Sequence, residues 1–520
     1  MNNFESEIIN ETEIDDGKEV LDVHEKVLED KSKVTWTDEQ KEALDIKEEK
    51  NLLVSASAGS GKTAVMTQRI INLVTEKKIP ISNFLVVTFT SASAQDMKSK
   101  ILKKFQELPA DPFILEQIDA ISTSDISDLH SFYSRLISTY FYEIEVDPAY
   151  HIIDDVESSY LKDKAMTKLF EQKEKQEDKD YFLLFDIFQK KRKDEKLRDA
   201  IFSLRTLLDS QVDGEKWFFE KLEETYSEDF DNSICVKTIL DYIEDIVNVL
   251  AKKIEKLEEK CNEFGFDKYY DYFVDFLSNI RAFSNKKTFE QNANIYNDIV
   301  NNFKKLPSLK NKADLDGEAL AFANGISDVN DSLKKEIKAF ANFFSAKTLD
   351  DEKAHLRQTK EILKLLYNIT AEFSKIYDEL KKEANGLDFN DLEKNAYKIL
   401  SNPKICEAVK SKYKYIFVDE YQDINTIQEK IISMISSEKN RFMVGDLKQS
   451  IYRFRLCDPE IFLDKYKTYS KNSEFCKVVK LNKNFRSDKN ILKFVDMVFA
   501  GTMTEKFGGI DYEKESMFTA

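Results

Sequence analysis

Residues 51 to 63 read NLLVSASAGSGKT, and they run in the order apolar segment, small-residue loop, Lys-Thr at the head of AVMTQRIINLV. A strand, a loop and a helix are predicted in that order. Small side chains let backbone N–H groups approach phosphate oxygens, and the N-terminus of the next helix adds its partial positive charge at the same place. Ala56, Ser57, Ala58, Gly59, Ser60 and Gly61 are the expected cradle, Lys62 is expected to reach the β and γ phosphates of ATP, and Thr63 to hold Mg²⁺. Ala56 stands where the general pattern has its first glycine. A small-residue turn before a core helix is the competing reading, but GSGKT is intact and sits at a strand-to-helix junction.

Working outward, further strand-like runs follow this loop. FLVVTFT (84–90) follows it, and YKYIFVDE (413–420), RFMVGD (441–446) and VVKLNKNFRS (478–487) come much later. Alternation of such runs with helical stretches predicts an α/β fold with a parallel sheet. Tyr415–Val418 ends in Asp419 and Glu420, and doubly wound sheets present their ligand-binding residues at the carboxyl ends of strands. Asp419 is expected to bind Mg²⁺ through its water shell, since that ion accepts only one or two carboxylates. Glu420 is expected to orient and deprotonate an attacking water.

Between residues 151 and 384 the strand signal gives way to Lys/Glu-rich segments with helical spacing. Ile243, Ile246, Leu250, Ile254 and Leu257 fall three or four apart, on one helix face. An all-helical domain is thus predicted as an insertion that splits the sheet domain. Residues 1–33 carry eleven acidic side chains against four lysines and few large apolar groups, the texture of a disordered tail.

The chain has 520 residues, 42% of them hydrophobic, which is enough for more than one core. Its net charge of -18 means that any nucleic-acid site must be locally basic. The N-terminus lacks the pattern of a secretory signal and no run is long enough to span a membrane, so a cytoplasmic location without membrane attachment is expected. Cys235, Cys261, Cys406, Cys457 and Cys476 form no CxxC pair, which argues against a local metal or redox site.

The order of motifs resembles the UvrD-like superfamily 1 DNA helicases. Beside the phosphate loop and VDEYQD (418–423), the resemblance rests on WTDEQ (36–40), VVTFTSASAQDMKSKI (86–101), LHSFYSRLI (129–137), LDFNDL (387–392), VGDLKQSIYRFR (444–455) and LNKNFRS (481–487). Within that superfamily the wording of several motifs is most similar to the AddA (RexA) branch of helicase–nuclease subunits. The resemblance implies a RecA-like P-loop domain (34–150 and 385–480), a helical insertion (151–384) and the start of a second RecA-like domain (481–520). It also implies that the last helicase motifs and a nuclease domain would lie beyond Ala520.

Carried over by position, the resemblance assigns Gln40 to adenine, Phe485 to stacking on adenine, Gln449 to sensing the γ-phosphate and Arg486 to stabilising charge on the transferring phosphoryl group. Phe89, Thr90, His130, Phe132, Tyr452 and Arg455 become candidate DNA contacts. Asp128 replaces a small hydroxylated residue usual in the family and is expected to face solvent rather than DNA phosphates. The implied activity is ATP-driven 3′ to 5′ translocation on single-stranded DNA, in a heterodimer with an AddB-type (RexB-type) partner that processes duplex DNA ends. A nucleotide- or DNA-binding fragment without turnover, a stand-alone UvrD-like repair helicase, and for the insertion either a duplex contact or a solvated face, all stay open.

Overall fold

The computed structural model describes residues 35–515 apart from 110, 190–193, 310–314, 316, 345–347 and 472. The acidic stretch 1–33 lies outside the described residues. Contacts divide the chain into two compact units, one of them Ala149–Asn390 and the other the stretches that flank it, up to Pro148 and from Asp391 onward. The strands are β1 (Asn51–Ala56), β2 (Phe84–Thr88), β3 (Asp125–Asp128), β4 (His151–Ile152), β5 (Gly386–Leu387), β6 (Tyr415–Val418), β7 (Arg441–Gly445) and β8 (Cys476–Leu481).

In the flanking unit six strands form one sheet in the order β3-β2-β6-β7-β1-β8. Every pairing is parallel, with Val87 opposite Val418, Val418 opposite Met443, and Val54 opposite both Val444 and Val479. Parallel sheets are covered on both faces, so their strands are apolar at successive positions rather than alternate ones. Leu52, Val54, Val86, Phe417, Phe442 and Val444 face one core. The residues between them, Leu53, Leu85, Ile416 and Met443, are also fully buried.

The helices that carry residues named below are α1 (Asp38–Leu44), α2 (Lys62–Lys77), α3 (Ser91–Gln106), α4 (Leu129–Tyr140), α5 (Phe389–Leu400) and α6 (Thr426–Ile435). Ile70 and Val74 of α2 and Met97, Ile101 and Phe105 of α3 pack on the first core face. Arg69 of α2 is buried and donates from Nη1 to the carbonyls of Ala43 and Asp45 at 2.8 and 2.7 Å. It thereby fixes the end of α1 against α2. Burial lowers its pKa to about 10, which still leaves it charged at neutral pH.

The second unit is helical apart from the parallel pair β4–β5. Its longest helices are Ile234–Glu263 and Leu349–Glu383. Ile243, Leu250 and Ile254 are buried in one apolar cluster, with Ile246 and Leu257 packed partly buried against it. A second cluster joins Leu161, Leu169, Ile201 and Phe373. The five cysteines are free thiols, two of them buried.

Replacing Ile254→Ala removes most of a side chain from a fully enclosed site, at a cost of about 2 to 5 kcal/mol. Urea unfolding followed by hydrogen exchange should show protection lost first along 234–263, with protection of β1 and β7 unchanged. Equal loss in both units would show that they unfold as one.

Candidate functional site

In a parallel sheet every carboxyl end lies on one edge. The strand order therefore brings the residues that follow β6, β7, β1 and β8 side by side. After β1, the chain turns through Gly59 (φ 70°) and Gly61 (φ 85°) into α2. Glycine is required at Gly59 for two reasons, its left-handed backbone and its crowding: an added Cβ would stand 2.8 Å from Cβ of Arg486 and 2.9 Å from the Asn484 amide. The loop is laced down from outside. Asn484 Nδ2 donates to the Ala58 carbonyl at 2.7 Å, Phe485 N–H to the Gly59 carbonyl at 2.9 Å, and Gln40 Nε2 to the Ser60 carbonyl at 3.0 Å. These donors satisfy three successive carbonyls of the turn. Ser60 Oγ is buried without a partner among the described residues, a polar atom that a phosphate oxygen would satisfy.

Lys62 Nζ lies 3.2 Å from Glu420 Oε2 and 3.4 Å from Gln449 Oε1. Thus the lysine of the loop, the second acid after β6 and the glutamine after β7 meet at one point. Gln449 also donates from Nε2 to Asp446 Oδ2 at 2.8 Å. Asp446 N–H in turn donates to Gln422 Oε1 at 2.9 Å, and Gln422 Nε2 donates to Glu420 Oε2 at 2.9 Å. Glu420 has φ 50°, an unusual backbone for a residue with a side chain. The turn is anchored behind it, where the Tyr421 hydroxyl donates to Glu429 at 2.8 Å and Arg441 pairs with Glu429 at 3.0 Å.

Negative charge is in excess here. Burial first, and Glu420 second, push Asp419 up to about 6, and the same two causes in the same order push Asp423 up to about 6. Lys62 acts on all three carboxylates, with Lys100 adding a smaller effect at Asp419. A divalent cation beside Asp419 and Thr63 would relieve this imbalance, so the residues present fit Mg²⁺ delivered with phosphates. Among the described residues no group of three or more His, Cys, Asp or Glu side chains forms a metal cage.

Two of the expected cradle residues are also tied to the sheet. Ala56 is buried at the end of β1, and the Ser57 N–H continues the sheet to the Leu481 carbonyl at 2.9 Å. Both therefore shape the loop from within the sheet, and Ser57 Oγ accepts from Lys448 at 3.4 Å. Gln40 caps α1 as well, its Oε1 accepting from Thr37 N–H at 3.0 Å. One N–H and one lone pair of its amide remain for a base. Phe485 is 56% exposed beside the loop, and the Arg486 N–H is held by Asn484 Oδ1 at 2.8 Å.

A second cluster lies on the same unit. Phe89, just past β2, stacks on Tyr452 with ring centroids 5.0 Å apart, and the Arg455 guanidinium lies 5.4 Å from the Tyr452 ring. Phe454 is 76% exposed and joins this surface 5.9 Å from Tyr452. Thr90 is exposed and caps α3 by accepting from Ser93 N–H. His130, in the first turn of α4, has Nε2 3.7 Å from Glu393 Oε1.

Two expectations are corrected. Phe132 is only 3% exposed, its ring set edge-on to Tyr413 and tilted against Tyr133, so it belongs to the core and offers no stacking face. Asp128 does not face solvent. It caps α4, accepting from Ser131 N–H at 2.8 Å and from the hydroxyls of Ser131 and Ser91 at 2.9 and 2.5 Å. These donors outweigh its burial and hold its carboxyl below the usual range. Asn484, Gln422, Asp446 and Glu393 were not singled out by sequence reasoning. The first three lie within or beside the motif stretches, where a short polar residue next to a predicted turn was the available signal.

Comparison with known proteins bears on the same motifs. The sequence pattern of the UvrD/REP helicase N-terminal domain matches residues 36–306 and 232–470. Proteins named as subunits of an ATP-dependent helicase/nuclease are similar over most of the chain. The one from Alkaliphilus oremlandii is 31% identical over 489 residues, 92% of this chain and 40% of its own length. Those from Clostridium botulinum Type E3 and Ruminiclostridium cellulolyticum are 32% and 33% identical, over 92% and 93% of this chain and 40% of their own lengths. The chain spans about two fifths of the length of these relatives. Among the described residues no helix is long and apolar enough to cross a membrane. The match covers well over half of the sequence and includes the phosphate loop and the turns after β6 and β7 that meet at Lys62, and on that ground the chain belongs to the UvrD/Rep helicase family.

Proposed function

We propose that this chain is the ATP-binding part of a motor that moves 3′ to 5′ on single-stranded DNA. It would work in an ATP-dependent helicase–nuclease with an AddB-type partner that processes broken duplex ends for recombinational repair. The observation that carries the reading is the meeting of Lys62, Glu420 and Gln449 at the mouth of the laced loop. In this reading Lys62 leaves Glu420 for the β and γ phosphates, which frees the Glu420 carboxylate to orient a water and take its proton. Gln449, tethered by Asp446, senses the γ-phosphate, and Arg486 offsets charge on the transferring group. Mg²⁺ held near Thr63 and Asp419 supplies further charge neutralisation. Phe485 and Gln40 flank the adenine.

Phe89, Tyr452, Phe454 and Arg455 support the DNA side of the proposal. Stacked aromatic faces accept any base, which suits a motor indifferent to sequence, and the arginine gives local positive charge on an acidic protein. Thr90 and His130 would meet the backbone phosphates.

Steady-state ATP hydrolysis with and without oligo-dT tests the central assignment. Lys62→Ala should weaken nucleotide binding by about 10- to 100-fold, the worth of a charge-assisted hydrogen bond. Arg486→Ala should leave binding nearly intact and lower turnover by about 10³-fold or more. Nucleotide binding without turnover in the parent chain would instead identify a binding module. Undiminished turnover in Lys62→Ala would sink the site itself.

Phe89→Ala and Tyr452→Ala should each weaken oligo-dT binding by about 1 to 3 kcal/mol, read by fluorescence anisotropy. Phe132→Leu, in the core, should change affinity little. A reversed order would move the DNA face to α4.

Asp419 gives a pH signature. Its folded pKa of about 6 lies above the ordinary 3.8, so the ligand-free fold holds an extra proton. That contribution to stability is complete below about 3.8 and is lost as pH rises through about 6. Mg²⁺ needs the carboxylate and competes with this proton. The Mg²⁺-dependent part of nucleotide affinity should therefore fall between pH 7 and 5, with proton release on binding, and Asp419→Asn should abolish both. Calorimetry in buffers of different ionisation enthalpy would measure it, and a flat profile in the parent chain would exclude Asp419 as the cation's partner.

A further inference from the structure

Segments remote from one another in sequence converge on a buried carboxylate that directly follows LDFNDL (387–392). Glu393 of α5 is 4% exposed. Its Oε2 accepts from Asn425 Nδ2 at 3.0 Å and its Oε1 from Gln428 Nε2 at 2.6 Å. The same Oε1 is 3.7 Å from His130 Nε2 on α4. Asn425 and Gln428 are the two halves of the capping box of α6, each accepting the other's backbone N–H. This helix starts directly behind the turn Glu420–Asp423, whose Gln422 amide touches both Glu420 and Asp423. Glu393 therefore stands between a residue on the DNA side and the start of the element that sets Glu420.

The arrangement has a competing donor. Tyr133, one turn after His130, is fully buried and its hydroxyl has no partner among the described residues. Burial and then the nearby Glu393 carboxylate keep that hydroxyl protonated. A buried donor beside a carboxylate that serves other donors makes two arrangements available. In one, Glu393 holds the capping box of α6. In the other, it turns to the Tyr133 hydroxyl and releases Asn425 and Gln428. An anionic phosphodiester drawn to His130 changes the imidazole's attraction to Oε1 and so shifts the balance between them.

We propose that Glu393 is a positioning residue that couples single-stranded DNA at the His130 face to the placement of the Glu420 turn, an inference that rests on the motor reading above. Such coupling is reciprocal: nucleotide must change DNA affinity by the same factor as DNA changes nucleotide affinity.

The test measures binding, so it does not depend on turnover. Labelled oligo-dT is titrated into the protein with and without Mg²⁺ and a non-hydrolysable ATP analogue, and the ratio of the two dissociation constants is the coupling factor. For the parent chain a factor of about 5 to 100 is expected. Glu393→Gln should bring it to within about twofold of one, with each ligand alone binding within about threefold of the parent and an unchanged melting temperature. Asn425→Ser keeps a good N-cap for α6 while deleting one donor to Glu393, and should do the same. Should one variant fail to fold, the other carries the test. Retained coupling in a folded variant overturns the proposal, as does a fall of both affinities and melting temperature together, which would mark Glu393 as merely structural. If the parent chain binds both ligands with a factor of one, the coupling idea fails and the motor reading stands. If it binds neither, both fail.

Discussion

Lys62 can meet Glu420 and Gln449 only because β1, β7 and β6 are hydrogen-bonded neighbours that run in one direction. Lys62 is more than three hundred positions from the other two in sequence, and no local propensity brings them together. What does so is the pairing of apolar strands: Val54 opposite Val444, Val418 opposite Met443. The same order places β2 and β3 beyond β6, so the residues past their carboxyl ends, Phe89 and His130, stand on the same edge but to one side of the phosphate loop. Nucleotide chemistry and the aromatic surface are thus separated by strand order, and the residues after β7 reach both, Gln449 toward Lys62 and Tyr452 toward Phe89.

Given that order, the loop still has to be rigid before a ligand arrives. Its carbonyls at Ala58, Gly59 and Ser60 are each claimed by a group from another segment, the Asn484 amide, the Phe485 N–H and the Gln40 amide. Preorganised N–H groups and a helix terminus need no rearrangement when charge arrives, which is where electrostatic stabilisation is largest. The excess of carboxylates works in the other direction. Together with burial, which is the larger cause, it raises Asp419 and Asp423, and a cation with phosphates would complement the site. The left-handed backbone at Glu420 is held by the buried Tyr421, Glu429 and Arg441 contacts behind it, an example of local strain persisting where its surroundings overdetermine it.

How much of this was legible in the sequence differs by residue. The parallel sheet, the helical middle and the loop followed from patterning, because continuous apolar runs and three-to-four spacing are direct consequences of burial geometry. Lys62, Glu420 and Gln449 were legible as motif members, and the structure adds their convergence. Phe132 was not, because a motif fixes which residues are near each other in sequence and not which way a helix face turns. His130 and Phe132 are two apart on α4, far enough around the helix for one to be partly exposed and the other buried. Asp128 misled for a related reason: its charge suggested solvent, whereas at the first position before a helix a carboxylate is among the best caps. Glu393 directly follows LDFNDL, but its partners lie in segments remote in sequence, so the pairing itself was not legible.

The helical unit poses a separate question, how a sheet domain tolerates so long an interruption. Its two ends meet as parallel strands, His151 opposite Gly386 and Ile152 opposite Leu387. The first and last segments of this unit are thus hydrogen-bonded neighbours, and the entropy of closing a loop grows only slowly with its length. Asp388 holds the return strand. It accepts from the Tyr377 hydroxyl at 3.2 Å and from the buried Lys381 ammonium at 3.0 Å, and Lys381 also lies 4.6 Å from the Tyr377 ring. LDFNDL therefore begins as a clamp on the returning strand and continues directly into α5, the helix that carries Glu393. At Asp388 this motif stretch is a fastening inside the helical unit, tying the returning strand to the end of its longest helix.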